Sequence, residues 1–534
     1  VNSQNITVNA TGFNVAAGAA SPTPINLGNF RVGLAGGAAP QSQNVAVANT
    51  VAGPFTESLG IGAASVSNAA FTLTNNLGSS LILAGGSNAS ALNVARNSGI
   101  AGLNTGTLAI QYTSDGTGTS GLAAIDVNSQ NITVNATGFN VAAGSATPTP
   151  VVIASQRIGG SNSQALTVSN TATAGLFSED LNASFGATIG DATNAGSISG
   201  RLAGTNNTGT GTMSVGVDAT TAGAKTGSVT LIYQTAGAVN GASNGLGTAS
   251  AGNQIINVSG KVYTPAVLQV NTPTVNFGIV HKGDTVTARN VSVTNAAPVS
   301  ALNDQLIGSL GGASGPFTAS GTLAGVAAQA SDTSSLKVAL DTTSAGQFSS
   351  TAKLNAASHN ADMSDLNLTP VPASVSVQAQ VNNYAEVSLQ KTAGDGTFGQ
   401  AGNIFTLDFG TFVIGSSGKQ SSLSVLNTAS GIFSDLLRGS FATGGVSSPF
   451  SLSGFNSFDN LAVGSPPVDL QVLFSGSAIG NYENSIVLSS TGFNASGYEG
   501  ALADRTLVLR GTVAAVPEPG TYGMMLTGLL VVMF

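Results

Sequence analysis

The chain runs to 534 residues with a formal net charge of −8, and charged residues make up 7% of it, against an average of about 25%. With no basic cluster and no aromatic stacking platform, this balance excludes a nucleic-acid partner, which needs a basic footprint. Hydrophobic content of 42% argues against disorder, and the absence of cysteine leaves stability to packing alone and suits export.

Residues 1–18 (VNSQNITVNATGFNVAAG) recur identically at 127–144, which marks an array built from internal repeats. The second copy closes a unit. In the first, Ile6, Val8 and Ala10 read as the closing strand of a unit that is missing, so the sequence is expected to be truncated at its start. The alternative is a donor strand that completes a neighbouring molecule's sheet.

The pattern [Val/Leu]-x-Val-x-Asn serves as a ruler. It ends at Asn49, Asn170, Asn295 and Asn427, roughly 120–130 residues apart. Three of the four copies continue into a Gly-x-Phe corner with an acid: Gly53-Pro-Phe55-Thr-Glu57, Gly175-Leu-Phe177-Ser-Glu179 and Gly431-Ile-Phe433-Ser-Asp435. The third departs, reading Asn295-Ala-Ala-Pro298. Closing strands alternate through Ile132 and Val134, Ile256 and Val258, Val375 and Val377, and Leu507 and Leu509. Short alternating strands parted by Gly, Asn and Ser turns predict an all-β chain, a tandem array of Ig-like β-sandwiches. The expected segments are 1–23 (closing strand and linker), four sandwiches at 24–147, 148–264, 265–384 and 385–515, and a tail at 516–534. Pro22, Pro24, Pro148, Pro150 and Pro265 are expected to stiffen the linkers between sandwiches.

The best-preserved copy is 274–295. Val275, Phe277 and Ile279 alternate, Lys282-Gly283-Asp284 breaks the pattern, and alternation returns at Val286 and Ala288 before slipping at Arg289-Asn290. A one-residue slip reverses the faces of a strand, so a β-bulge or kink is expected near Arg289-Asn290.

Asn276-Phe-Gly-x-Val-x-x-Gly283, followed by Val291-x-Val-x-Asn295, resembles the choice-of-anchor D repeat of bacterial surface proteins, whose Ig-like sandwich is similar to those of the ASPM/SPD-2/hydin group. Asp408-Phe-Gly410 also fits. The copies at 25–49 and 151–170 lack Phe-Gly, and their membership rests on repeat spacing.

Pro517, Glu518 and Pro519 precede an apolar run that includes Met524, Met525, Leu526, Leu529, Leu530, Val531, Val532 and Phe534. The 15 residues 520–534 would reach ~22 Å as a helix, short of the ~20 residues, or about 30 Å, of a membrane span. The arrangement resembles the PEP-CTERM sorting signal, without the basic cluster that ends that family's signal. The resemblance implies an exported protein of a Gram-negative bacterium, held at the membrane by its tail and processed by an exosortase.

Chemistry is sparse. The two histidines, His281 and His359, lack a triad or a zinc-ligand context and are expected to be solvated loop residues. Asp408-Phe-Gly410 matches a kinase tripeptide by letters alone, and Phe409 is expected in a strand core. Ser114-Asp-Gly116 and Gly394-Asp-Gly396 read as turns rather than calcium loops. Glu57, Glu179 and Asp435 share a repeat position, which points to a loop hydrogen bond. No catalytic residue, metal site or cofactor is expected. The reading is a structural protein of the cell surface or extracellular matrix, touching extracellular polysaccharide or copies of itself. The alternative is an adhesin whose loops bind a glycan or a host surface.

Overall fold

Alternating apolar residues become inward strand faces along the whole chain, and no described residue is helical. The computed structural model describes residues 1–34, 41–97, 99–207, 213–370 and 372–516. It divides into two compact units, Val1–Thr264 with Ser300–Leu302 and a second that begins at Pro265. Each unit holds two hydrophobic cores, and each core lies between a pair of sheets.

The same topology recurs. In sandwich 1, one sheet runs Gly18–Ser21, Ser42–Asn49, Ser87–Arg96, Phe71–Asn75. The other runs Ile25–Arg31, Ile125–Phe139, Gly102–Asp115, Ser58–Val66. The first strand therefore starts in one sheet and crosses to the other, where it lies parallel to the closing strand. Sandwiches 2, 3 and 4 repeat this parallel pairing through Val151–Val152, Thr274–His281 and Ile404–Val413. The all-β, Ig-like sandwich array expected from the alternation is the architecture observed.

The crossing relocates two expected linkers. Pro22 and Pro24 fall between Gly18–Ser21 and Ile25–Arg31, and Pro148 and Pro150 fall between Gly144–Thr147 and Val151–Val152. These prolines lie within sandwiches 1 and 2, where the chain leaves one ladder for another and needs no N–H donor. Gly18–Ser21 thus belongs to sandwich 1, and Gly144–Thr147, paired with Ser163–Asn170, belongs to sandwich 2.

The duplicated 18-mer adopts two conformations. In the second copy Ile132 and Val134 are fully buried in Ile125–Phe139, between two neighbouring strands. In the first copy residues 1–13 form no strand, and Ile6 and Val8 are 83% and 84% exposed. The expected terminal strand is not formed, because a strand takes its backbone partners from elsewhere in the chain.

The bulge expected at Arg289-Asn290 also moves. Residues 285–288 form a loop, with Val286 packed on the core, and Arg289–Asn295 breaks register between Val291 and Val293. A second bulge lies between Asn276 and Ile279, where Gly278 takes φ 75 and donates its N–H to Asn276 Oδ1 at 2.8 Å. Gly410 does the same with Asp408 Oδ1 at 2.7 Å. Gly28 occupies the matching bulge of sandwich 1, so Asn26-Leu-Gly28 is a copy of the motif with Leu in place of Phe. The positive φ explains the glycine.

The ruler asparagines are buried and make one set of bonds in all four sandwiches. Asn295 Nδ2 donates to the carbonyls of Asp304 (3.4 Å) and Val326 (3.0 Å), while Oδ1 accepts from the N–H groups of Val267 (3.0 Å) and Ala297 (3.2 Å). Asn49, Asn170 and Asn427 bond equivalent groups. Asn295→Ala strands buried backbone groups and should cost sandwich 3 about 2–4 kcal/mol, whereas exposed Asn290→Ala should stay within about 0.5 kcal/mol. Hydrogen exchange of the Ala373–Asn382 amides in denaturant measures both.

Candidate functional site

The ruler amide holds the carbonyl of an acid eight or nine residues later, and the acid side chain turns into the end of its sandwich. Glu57, Glu179, Asp304 and Asp435 are all at most 4% exposed. Asp304, in the third copy, escapes sequence reading because the Gly-x-Phe corner is missing there. Its signal is the spacing: it follows Asn295 as Glu179 follows Asn170.

A hydroxyl on a core strand meets three of these acids. Ser114 Oγ donates to Glu57 at 2.6 Å, Ser358 Oγ donates to Asp304 at 2.7 Å, and Thr235 Oγ1 donates to Glu179. Ser120 adds a second donor to Glu57 at 2.5 Å, as does Asn360 to Asp304 at 2.5 Å. The loop hydrogen bond expected from repetition is present, but it lies in the interior.

Within the first unit, Glu179 joins sandwich 1 to sandwich 2. Arg31, the last residue of Ile25–Arg31, places Nε 2.7 Å from Glu179 Oε2, with side chains 6% and 0% exposed. Arg31 also donates to the carbonyl of Gly247, and Asn244 donates to Glu179. The backbone closes the same junction: Asn140 N–H donates to Phe177 O at 2.7 Å, and Glu179 N–H donates to Asn140 O at 3.0 Å. The Phe139 and Phe177 rings pack at 5.9 Å. At the start of the chain, Phe13 and Asn14 make the matching contacts with Phe55 and Glu57.

Within the second unit the same site carries histidine. His281 ends Thr274–His281 and is 5% exposed, with Nε2 2.7 Å from Asp435 Oδ2. The expectation of a solvated His281 is corrected. The bulge at Gly278 shifts the end of the strand, and His281 pairs with Asn382 where the chain enters sandwich 4. Asn382 and Asn494 donate to Asp435 Oδ1 at 3.0 and 2.8 Å. The His281 ring stacks on Tyr384 at 4.1 Å and meets Tyr498 edge-on at 4.3 Å. Burial, joined by the nearby Asp284 and Asp435 carboxylates, pushes both phenols above the usual tyrosine range.

Other candidates resolve simply. His359 is partly exposed and pairs with Asp365 at 2.6 Å. Phe409 is a core residue, 2% exposed. Asp115 Oδ1 accepts the Thr117 N–H, as a turn residue does, and Asp395, in a bend, accepts the N–H of Gln420 from the neighbouring strand on Oδ2. Among the described residues no group of three or more His, Cys, Asp or Glu side chains is placed to hold a metal. Pro517, Glu518, Pro519 and the segment from Met524 to Phe534, with its expected helix, lie outside the described residues.

Removing Arg31 alone leaves Glu179 buried without its cation. Arg31→Ala should destabilise the junction by about 3–5 kcal/mol, and Arg31→Met with Glu179→Gln should restore most of that. Urea unfolding read by hydrogen exchange at Asn140 and Glu179 separates the two outcomes.

No family model matches the chain, and no curated protein matches it in sequence. Solved structures with similar arrays include protocadherin gamma B2 extracellular cadherin domains 1–5, at 11% identity and TM-score 0.41, covering 93% of this chain and 81% of that one. The protocadherin gamma B4 extracellular domain also matches at 11% and 0.41, covering 93% and 67%. Mouse cadherin-23 EC22–24 matches at 13% and 0.34, covering 70% and 100%. These are likenesses of a chain of β-sandwiches.

Proposed function

We infer that the protein is an exported structural component of a bacterial cell surface or extracellular matrix, serving as a tandem array of β-sandwiches. The observation that carries this reading is the buried acid junction. In each unit, two successive sandwiches are tied by a desolvated acid–base pair together with backbone bonds, which restrains bending between them. Sparse surface charge leaves hydroxyl and amide faces suited to polysaccharide or to other copies of the chain. Delivery is assigned to the tail: Pro517, Glu518 and Pro519 mark the segment an exosortase would grip, and Met524 to Phe534 hold it at the bilayer until processing.

The export arm is tested by producing the full-length chain in a Gram-negative host that carries the processing enzyme. Wild type should appear outside the cell, and a variant with Pro517→Ala, Glu518→Ala and Pro519→Ala should stay with the membrane fraction. Identical fractionation of the two overturns the sorting role.

A groove of about 520 Å³ on sandwich 4 favours the second reading, an adhesin. Phe458, Arg438, Ser440, Thr491, Asp459 and Asp504 line it, offering an aromatic ring beside hydroxyls and carboxylates of the kind a sugar can bind. Under that reading, oligosaccharide titration should show one saturable site, weakened at least roughly tenfold by Phe458→Ala. Diffuse or undetectable binding leaves the structural reading in place.

A further inference from the structure

We propose that the end of sandwich 1 bearing Glu57 is a docking surface for a further β-sandwich of this plan, one that residues 1–13 close and that brings a basic side chain to Glu57. Asn14 already makes the backbone bonds of a junction. Its N–H donates to Phe55 O at 2.8 Å and its carbonyl accepts the Glu57 N–H at 3.0 Å, as Asn140 bonds Phe177 and Glu179 and Asn383 bonds Phe433 and Asp435. Each asparagine forms the same parallel bridge, to Thr56, Ser178 or Ser434. The acids differ in their company. Glu179 meets Arg31 and Asp435 meets His281, each 2.7 Å away on the preceding sandwich. The Glu57 carboxylate, in a residue 4% exposed, meets only the hydroxyls of Ser114 and Ser120 among the described residues. A buried carboxylate without a cation is costly, so this end of the sandwich is complementary to positive charge.

Apolar exposure marks the same end. Phe55 is 54% exposed and Val15 49%, whereas their counterparts Phe177 and Val141 are half-buried. Ile6 and Val8 stand in solvent, while Ile132 and Val134 of the identical sequence are fully buried. Sandwich 1 shows what the docked sandwich has to supply. Ile125–Phe139 lies between Ile25–Arg31, which runs parallel to it, and Gly102–Asp115, which runs antiparallel. Arg31, the residue that reaches Glu179, is the one paired with Phe139. The docked sandwich therefore flanks residues 1–13 with two such strands, and its residue paired with Phe13 is the basic one. A second copy of this chain is the poorer occupant. Its slot for this sequence is filled by its own residues 127–139, so exchanging identical strands gains no contact and costs the freedom of two chains.

The chain has no tryptophan, so Phe55→Trp gives this surface its own fluorophore. A second copy of residues 14–126 is joined ahead of Val1 in the full chain, so that residues 1–13 follow Asp126 as residues 127–139 do. With Phe55→Trp made only outside the graft, grafting should lower acrylamide quenching severalfold and shift emission to shorter wavelength, toward that of Phe177→Trp in the ungrafted chain. Arg31→Ala within the graft alone should restore most of the quenching. Deleting residues 1–13 from the ungrafted chain should leave its oligomeric state in sedimentation unchanged. The proposal is overturned by quenching that grafting does not lower, by quenching indifferent to the graft's Arg31, or by oligomers of the wild-type chain that vanish when residues 1–13 are deleted, the mark of strand exchange between copies.

Discussion

Each sandwich depends on one buried primary amide. The asparagine at 49, 170, 295 or 427 gives both Nδ2 hydrogens to carbonyls and takes two backbone N–H groups on Oδ1, which joins the first strand, the following corner and the acid residue. Only an amide offers two donors and two acceptor positions without charge. Aspartate would bring acceptors alone, and glutamine a longer reach. The bond to the carbonyl of the acid residue is what aims the acid side chain inward, so the staple that finishes one fold also builds the junction to the preceding one.

Within each unit, that arrangement joins two successive sandwiches. Glu179 and Asp435 would be expensive to bury alone. They are tolerated because the preceding sandwich delivers Arg31 or His281 to them. Within each unit, the second sandwich therefore carries a requirement that the first satisfies, and side-chain geometry sets that connection. Pro22, Pro24, Pro148 and Pro150 take no part as linkers: their missing N–H groups suit the gap where the first strand trades one sheet for the other.

The two acid–base pairs show how one scaffold position accommodates different chemistry. The bulge glycine at 28 or 278 shifts register so that the residue at the strand end faces the next sandwich. Arginine there brings a planar, permanently charged donor that also reaches the Gly247 carbonyl. Histidine brings a ring that can stack, and Tyr384 and Tyr498 enclose it.

Alternation along the closing strands and the spacing of four asparagines determine by themselves that this is an all-β tandem array, because a two-residue period and a long repeat are properties of the chain alone. The recurring acid at 57, 179 and 435 was legible as well, as was the strand-core place of Phe409. Burial of those acids was not legible, nor was His281 as a junction residue, since its partner Asp435 lies far along the chain and the Gly278 bulge decides which way the ring points. The duplicated 18-mer makes the division plain. One sequence is strand at 127–139 and strandless at 1–13, because β structure is completed by hydrogen-bond partners that local sequence cannot supply.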